Sequence, residues 1–425
     1  MWPLLYLSLL PALPDLLPAP LPGPLPGPLP APLLMAPAGT DPMQQAFALA
    51  DNSSTAPATA PDWQLSSELA LASNTLPGAT EQQWQSRLAL DSRFSQASAD
   101  QSWNLRWNGR IDRFDSSTGA GSSTVLSWKE LYAGYRWNDS WLTEFGRINQ
   151  KNGVARGFNP TDFFAAAAVR AQISQQPAVL REQRLGSLML RQQWLGDAKS
   201  LSFLFSPKLS STADDATLAP DWARTNSTDR WQLSAEQQLW QGWTLGLLAY
   251  QAQGEARQYG LNLSGALNER WLYHLEAASG SQPRWQAGTE HSNRLATGVS
   301  YSLTLPMTLT LEWQYDAAGL SQQAWQQLLQ QPADWQHYLQ QRQGQLPTRQ
   351  TLLLQAQSQQ WSAGFDWSAL WLHDLQDNSD MLLTELTWIK PEYDIVLQWQ
   401  WAPGPDQSHF GAVGSQLQLL WRSYF

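Results

Sequence analysis

The chain has 425 residues and a formal net charge of -10, which argues against a general nucleic-acid binder. Charged residues make up 15% of it, against roughly 25% in ordinary globular proteins, and no internal stretch is apolar enough to span a bilayer as a helix. The 25 Trp residues are too many for a soluble core. Aromatic residues do, however, gather at both membrane interfaces of a transmembrane β-barrel. The absence of Cys suits an exported protein that needs no disulfides.

The N-terminal part of the chain has features of an export signal. Residues 1–17 are apolar, although prolines interrupt them and no Lys or Arg precedes Arg87. A Pro-rich repeat that disfavours helix follows, and Ala48-Leu49-Ala50 has the small-x-small form of a cleavage site. We expect a signal or leader segment over residues 1–50 and a short periplasmic segment over 51–62. The alternative is that translation starts downstream of Met1.

From Trp63 onward, runs of about ten residues alternate between apolar and polar side chains. In residues 103–114, Trp103 and Leu105 fall on one face while Arg110 and Asp112 fall on the other, and Glu312 falls on the polar face of residues 309–316. This period of two, at the length of a tilted transmembrane strand, predicts a barrel wall with lipid outside and a polar lumen inside. The predicted strands cover residues 63–72, 84–94, 103–114, 128–137, 141–149, 185–195, 199–207, 230–240, 244–253, 258–267, 271–279, 293–303, 308–317, 350–358, 363–374, 381–389, 394–401 and 415–425.

The predicted connections alternate in length, which is an independent test of the barrel. Short connections fall at 138–140, 196–198, 241–243, 268–270, 304–307 and 390–393. The connections between them are usually longer, at 115–127, 150–184, 208–229, 280–292, 318–349 and 402–414. Two connections at this second end of the barrel, 254–257 and 375–380, are short. Short periplasmic turns opposite long outer loops are typical of outer-membrane barrels, whereas a soluble sandwich has no reason to sort its loops in this way.

The first long loop contains the most distinctive motif of the chain. Gly146-Arg147 is followed by Asn159-Pro160-Thr161-Asp162-Phe163. Because Asn159 can cap a helix that has Pro160 at its first position, we expect a short helix over residues 161–172 that folds inward and narrows the lumen. The motif resembles the strand-to-loop corner of some outer-membrane channel families, including alginate-export-like barrels. That resemblance implies a shared barrel corner more strongly than a shared substrate.

Charged residues cluster around this loop, and rings of cationic side chains select anions in pores. We expect a constriction that favours anionic or polyhydroxylated solutes. The alternative is that the arginines pair with lumen carboxylates and only satisfy the interior. The candidate pore-lining residues are Arg106, Arg110, Asp112, Glu144, Arg147, Lys151, Arg156, Asp162 and Arg170.

The second long loop is Gln-rich and carries apolar residues at helical spacing. Trp325, Leu328, Trp335 and Tyr338 would share one helix face, and Pro332 is expected to split the helix in two. This loop is either a lid over the barrel mouth or a surface loop that packs its aromatic residues onto the rim.

Catalytic and cofactor-binding motifs are weak in this sequence. Residues 290–293, Glu-His-Ser-Asn, faintly resemble the His-x-Ser-Asn stretch of outer-membrane phospholipases, but the spacing differs and the following Gly is missing. No metal-ligand spacing and no nucleotide fingerprint stands out. We therefore expect neither an enzyme nor a cofactor nor a metal site, with an outer-membrane hydrolase that uses His291 as the least favoured alternative.

The final strand, residues 415–425, ends on an aromatic residue with a free carboxylate. It resembles the C-terminal signal that barrel-assembly machinery recognises in Gram-negative outer-membrane proteins, and the residues concerned are Trp421, Tyr424 and Phe425. We expect this strand to pair with the one near Trp63, with Trp421 and Phe425 facing lipid and Arg422 and Gln418 facing inward.

These observations together predict an all-β protein. It would be an antiparallel up-and-down transmembrane barrel of about eighteen strands over residues 63–425, in a Gram-negative outer membrane, with short helices in its long loops. The expected function is a porin-like or exporter-like channel for small or polymeric polar solutes, with anionic ones as an option, by passive diffusion. The alternative is a plugged structural or assembly barrel that recruits partners. Expected partners are outer-membrane lipid, the assembly machinery and the solute, and a homotrimer is left open.

Overall fold

The computed structural model describes residues 62–425, apart from 76–81, 118–121, 172, 213, 215, 241, 286–287, 343 and 363. The predicted leader over 1–50 and nearly all of the predicted periplasmic segment over 51–62 lie outside this range. The domain boundaries therefore remain predictions.

Eighteen strands form a single antiparallel sheet in which each strand pairs with its neighbours in sequence. Each predicted strand corresponds to one of them. The strands are β1 (Asp62–Thr75), β2 (Gln83–Ala97), β3 (Trp103–Ser116), β4 (Ser123–Asn138), β5 (Trp141–Ile148), β6 (Ser187–Leu195), β7 (Lys199–Ser206), β8 (Arg230–Gln238), β9 (Thr244–Ala252), β10 (Gln258–Ala266), β11 (Trp271–Arg284), β12 (Gly288–Ser302), β13 (Met307–Asp316), β14 (Gln350–Ser362), β15 (Phe365–Asp374), β16 (Asp380–Ile389), β17 (Tyr393–Trp401) and β18 (Ser415–Tyr424).

The sheet closes on itself because the last strand pairs with the first. Ser66 lies opposite Tyr424 and Leu69 lies opposite Trp421 in an antiparallel register. The Phe425 backbone N–H adds a hydrogen bond of 2.9 Å to the Leu65 carbonyl oxygen. The predicted pairing of the final strand is thus confirmed, and closure leaves neither edge strand exposed to pair with another chain.

The two ends of the barrel differ in loop length, as the sequence predicted. Both chain ends of the sheet lie at the end with short turns, which assigns that end to the periplasm. The short turns are 98–102, 139–140, 196–198, 239–243, 267–270, 303–306, 363–364 and 390–392, whereas the opposite end carries the long loops 149–186, 207–229 and 317–349.

The wall alternates between an apolar outer surface and a polar inner one. On β18, Leu417, Leu419 and Trp421 are about half exposed, while Gln418 and Arg422 are buried inside. Aromatic pairs stand near the short-turn end, where Trp271 packs on Tyr301 at 4.6 Å between ring centroids. This apolar belt with its aromatic rim is the surface that a barrel presents to lipid, and it accounts for the high Trp content.

Among the residues that the structure describes, four short α-helices lie in the long loops: α1 (Pro177–Glu182), α2 (Trp222–Thr225), α3 (Gln322–Leu329) and α4 (Pro332–Gln341), and a 3-10 helix covers Gly411–Val413. The predicted split of the second long loop at Pro332 is confirmed, and the Ser321 side chain caps α3 by accepting from the Ala324 N–H at 3.4 Å. Within the described residues, no helix has both the length and the apolar character needed to cross a bilayer.

Two sequence predictions were wrong in detail. The described part of 161–172 forms successive turns rather than a helix, because the Thr161 N–H and hydroxyl are drawn to a wall carboxylate and Ala167 takes a left-handed φ of 57°. The outer connections predicted at 115–127 and 280–292 are shorter, since the hairpins β3–β4 and β11–β12 continue pairing as far as Phe114 opposite Ser123 and Arg284 opposite Gly288. The extension of β11–β12, over 280–284 and 288–292, has no apolar alternation, so apolar periodicity does not reveal it.

Candidate functional site: the loop that crosses the lumen

Loop 149–186 leaves the wall between two short strands and enters the barrel. The strand β5 ends at Ile148, and β6 begins opposite it at Ser187. Gly146, with a φ of +138°, stands where an added Cβ would be 2.3 Å from the Leu131 carbonyl oxygen, so only glycine fits this corner. The predicted inward course of the loop is therefore correct, although the helix predicted in it is absent.

Glu276 on β11 holds the first crossing segment of the loop. Its carboxylate is fully buried and accepts from the N–H groups of Val154, Ala155 and Thr161 at 2.7 to 3.1 Å, and from the Thr161 hydroxyl at 2.8 Å. A buried carboxylate that accepts several N–H bonds satisfies loop donors that would otherwise have no partner in the lumen.

Glu312 on β13 holds the next two loop residues in the same way. It accepts from the Arg156 N–H at 2.6 Å and from the Gly157 N–H at 3.0 Å. Neighbouring side chains fix its orientation, with His274 Nε2 at 2.9 Å and the Gln314 amide at 2.7 Å. The sequence placed Glu312 on the inward face of its strand but gave no sign that either carboxylate binds a loop distant in the chain.

Glycines allow the loop to approach these anchors closely. A Cβ on Gly153, which has a φ of +95°, would lie 2.4 Å from a Glu276 carboxylate oxygen. A Cβ on Gly157 would lie 2.1 Å from the Gln314 amide nitrogen. At Gly153 the left-handed φ and the close carboxylate favour glycine, whereas a side chain at Gly157 would require the ends of the Gln314 and Leu353 side chains to move.

Aromatic side chains secure the tip of the loop on the outer half of the wall. Phe163 stacks on Tyr250 of β9, with ring centroids 4.8 Å apart. The guanidinium of Arg230 lies over the Phe164 ring, 4.4 Å from its centroid, and that of Arg294 lies 5.6 Å from the Phe163 centroid. These contacts bury both phenylalanines inside the barrel.

The returning part of the loop is tied to the outgoing part and to the far wall. Asp162 accepts from Arg184 at 2.7 Å, and Lys151 pairs with Glu182 of α1. Gln176 donates to Glu385 of β16 at 3.4 Å. Loop 149–186 therefore contacts strands on opposite parts of the 18-stranded wall and narrows the passage between them.

A second group of charges, which we call the seam cluster, joins the strands on both sides of the closure. Glu68 on β1 accepts from Arg110 at 2.5 and 3.1 Å and from Arg422 at 2.8 Å, and it forms an ion pair with Arg87 at 3.1 Å. Lys129, at a bulge of β4, binds Asp91 at 2.7 Å. The seam cluster consists of the cations Arg87, Arg110, Lys129 and Arg422 and the carboxylates Glu68, Asp91 and Asp112, all buried.

Several predicted pore-lining cations bind groups of the protein itself. Arg147 donates to the carbonyl oxygens of Gly186 and Pro220, both at 2.7 Å, and its guanidinium lies 4.5 Å from the Trp222 ring. Arg170 donates to the carbonyls of Leu126 at 2.9 Å and Ala219 at 2.6 Å. These two side chains fasten loop 207–229 over the short strands.

The remaining predicted residues are spread over the lumen. Glu144 pairs with Arg191 at 2.5 Å, and Arg110 and Asp112 belong to the seam cluster. Arg106 is half-buried on β3, and within the described residues it forms no ion pair. Arg156 is half-buried in the crossing loop, where its backbone binds Glu312. Sequence reasoning thus found the inward face but not its pairing, and it did not include Glu68, Arg87 or Glu276 among the candidate pore-lining residues.

The helices α3 and α4 pack their aromatic faces together at the outer end of the barrel. Trp325 and Tyr338 are buried in a cluster against which Trp285 and Ala412 of other loops pack, and Trp285 contacts Tyr338 at 5.5 Å between ring centroids. Burial raises the pKa of Tyr338 to about 12, so its hydroxyl stays protonated and donates to the Pro347 carbonyl oxygen. Arg342 binds Asp316 at the end of β13, which fastens the helix pair to the rim.

The stretch 290–293 lies on β12, with His291 and Asn293 exposed. His291 Nε2 is 3.1 Å from the Ser279 hydroxyl, which donates to the Asn293 side-chain oxygen at 2.8 Å. The amide therefore contacts the serine and not the histidine, unlike an acid–base relay in which the third residue orients the histidine. In the described part of the chain, no group of three or more potential ligands is placed to hold a metal.

A closed 18-stranded antiparallel barrel with an apolar belt and a loop folded into its lumen defines the class of the protein. It is an outer-membrane β-barrel with a porin fold, as predicted. No family profile matches the chain, and no curated protein matches it by sequence.

Solved structures do match it over most of its length. Pseudomonas aeruginosa OccK5 (OpdH) is similar with a TM-score of 0.55 and 10% identity, covering 86% of this chain and 98% of that one. OccK2 (OpdF) of the same organism, solved in complex with glucuronate, has a TM-score of 0.51 and 12% identity, covering 86% and 98%. Acinetobacter baumannii OccAB3 has a TM-score of 0.51 and 9% identity, covering 86% and 99%. At such identities the likeness is one of fold.

Proposed function

We propose that the protein is a passive outer-membrane channel for small polar solutes, with loop 149–186 as its constriction. The observation that carries this proposal is the anchoring of the loop on Glu276 and Glu312, on strands far from those that the loop connects. The polar inner wall supports it, because a wet lumen needs such a surface whereas a packed core does not. The similar fold of a porin solved with glucuronate is consistent with the proposal.

Liposome swelling tests the proposal. Vesicles that contain the folded protein should swell in small polar solutes and progressively less in larger ones, because the crossing loop limits the width of the passage. Vesicles with heat-unfolded protein serve as the control. If folded protein gives no swelling above that control with any solute, the barrel is plugged, and a structural or assembly role takes the place of transport.

We further propose that the lumen prefers anions. The seam cluster contains four cations and three carboxylates, and Arg106 adds a positive charge that forms no ion pair with any described residue. Reversal potentials across a salt gradient should indicate anion preference, and the double variant Arg106→Ala with Arg156→Ala should reduce it. Equal permeability of anions and cations in the wild type would refute this preference without refuting the channel.

A further inference from the structure

A polar cavity lies between the first residues of loop 149–186 and the wall. Its volume is about 130 Å³, which gives room for roughly four water molecules at ~30 Å³ each. The wall residues in it come from the periplasmic halves of β8, β9 and β10, so the cavity lies on the periplasmic side of the crossing loop. Its polar lining includes Lys151, Asn152, Ser234, Glu236, Asn262 and Ser264.

The charge of this cavity is set by one carboxylate. Glu236 points inward from β8, and no cation pairs with it among the described residues. The Lys151 ammonium, on the opposite side of the cavity, pairs with Glu182 instead. The cavity lining therefore carries one ammonium group that is paired with Glu182, one carboxylate that has no cationic partner among the described residues, and several neutral polar groups.

The neutral groups are suited to hydroxyl recognition. The Asn262 side-chain oxygen lies 2.9 Å from the Thr161 hydroxyl, and Asn152 donates to Gln232 at 2.9 Å, so both amides have neighbours that hold them in place. The hydroxyls of Ser234 and Ser264 also line the cavity. Gly246 lies between these groups, since an added Cβ would be in van der Waals contact with Asn262 at 3.4 Å and with Glu236 at 3.7 Å, so a larger side chain there would enter the cavity.

We infer that this cavity binds the ammonium group of a small hydroxylated solute, with Glu236 as the counter-ion and the amide and hydroxyl groups as partners for its hydroxyls. The inference goes beyond the proposed channel function, because it concerns one local cation-binding subsite beside the constriction and does not depend on the ion preference of the lumen as a whole. A carboxylate and an ammonium group form a charge-assisted hydrogen bond, which is stronger than a neutral one.

Isothermal titration calorimetry of the folded barrel tests the site, with protonated ethanolamine as the probe and a maltoside detergent that carries no ammonium group. The wild type should bind the probe, and Glu236→Gln should weaken binding at least about tenfold, as the loss of a charged partner implies. Glu255→Gln, which changes an exposed carboxylate in the outer turn after β9, is the matched control and should bind like the wild type.

A second variant tests the cavity without removing the charge. Gly246→Val should fill the space and also abolish binding, with the folded state of each variant checked by heat modification on a gel. Unchanged binding in both folded variants would overturn the inference, as would equal binding of neutral ethylene glycol or the absence of binding to the wild type. Calorimetry measures binding without any ion current. A protein that binds the probe but does not conduct would therefore contradict the proposed channel function and still support the binding site.

Discussion

Individual carboxylates decide where the crossing loop lies. Each of Glu276 and Glu312 accepts at least two backbone N–H groups of the loop, and both are fully buried. Leaving a buried donor without its partner costs about 1–3 kcal/mol, so removal of either acceptor disfavours the docked loop. The loop is thus held by a few well-placed residues.

Gly153 offers a test of this docking at a single position. Gly153→Ala should undock the loop, because the new methyl group would stand 2.4 Å from a Glu276 oxygen. Trypsin should then cleave folded protein faster within loop 149–186, as measured by mass spectrometry of the fragments.

Gly254→Ala is the control for backbone strain. Its φ of +83° resembles that of Gly153, but an added Cβ meets nothing within 4 Å. It should lose only about 1–2 kcal/mol to the left-handed conformation and leave loop cleavage unchanged. Equal cleavage rates in the two variants would show that close approach to Glu276 does not hold the loop.

For single residues, the sequence predicted which face of a strand a side chain lies on but not which groups it binds. Alternation placed Arg110, Asp112 and Glu312 correctly on the inner face, since the pleat of a strand alone decides that. The partners of Arg147 are carbonyl groups of Gly186 and Pro220, far along the chain. Any backbone carbonyl can accept such a bond, so no residue pattern identifies these partners in advance.

Among the elements, the contact between the first and last strands depends on the seam cluster. Glu68 on β1 forms buried ion pairs with arginines of β18, β2 and β3 on the inner face of the wall. Removing one member of a buried charge network costs on the order of 3–5 kcal/mol, because the remaining charges stay buried without compensation. Barrel closure should therefore be sensitive to this carboxylate.

Glu68→Gln should lower the free energy of unfolding of the barrel by on the order of 3–5 kcal/mol. Urea titration, with the folded fraction read from heat-modified mobility on a gel, measures the effect. Asp197→Asn, in an exposed periplasmic turn, is the control and should stay within about 0.5 kcal/mol of the wild type. Identical midpoints for Glu68→Gln and the control would mean that the seam cluster does not stabilise closure.

The end of β18 is the second element whose removal has a clear expected outcome. Tyr424 donates from its hydroxyl to Asp394 at 2.6 Å, and the Phe425 N–H binds Leu65. Deletion of both residues should abolish assembly into the outer membrane, assayed as heat-modifiable protein in membrane fractions. Normal amounts of folded barrel after the deletion would contradict the predicted assembly signal.

Elements in the loops were harder to predict than those in the wall. The helix pair α3–α4 was predicted because its apolar residues share a face that packs on itself. The helix expected over 161–172 failed, since contacts to Glu276 and Tyr250 outside the segment determine its path. Local propensity is a reliable guide only where local packing decides the conformation.

For the whole molecule, two repeated features of the sequence predicted the fold. Alternation over eighteen segments and the parity of connection lengths both follow from a sheet that separates lipid from a wet lumen. The path of loop 149–186 through that lumen follows from long-range contacts and could not be derived in this way. Passage through the barrel depends on that path, so the central claim concerns the loop more than the wall.

Single-channel recording in planar bilayers tests this claim most directly. Wild-type protein, refolded and shown to be heat-modifiable, should give discrete current steps, and the double variant Glu276→Ala with Glu312→Ala should give larger steps because its loop is released from the wall. Folded wild-type protein that gives no steps would contradict the channel. Steps of equal size in the two proteins would contradict the assignment of loop 149–186 as the constriction.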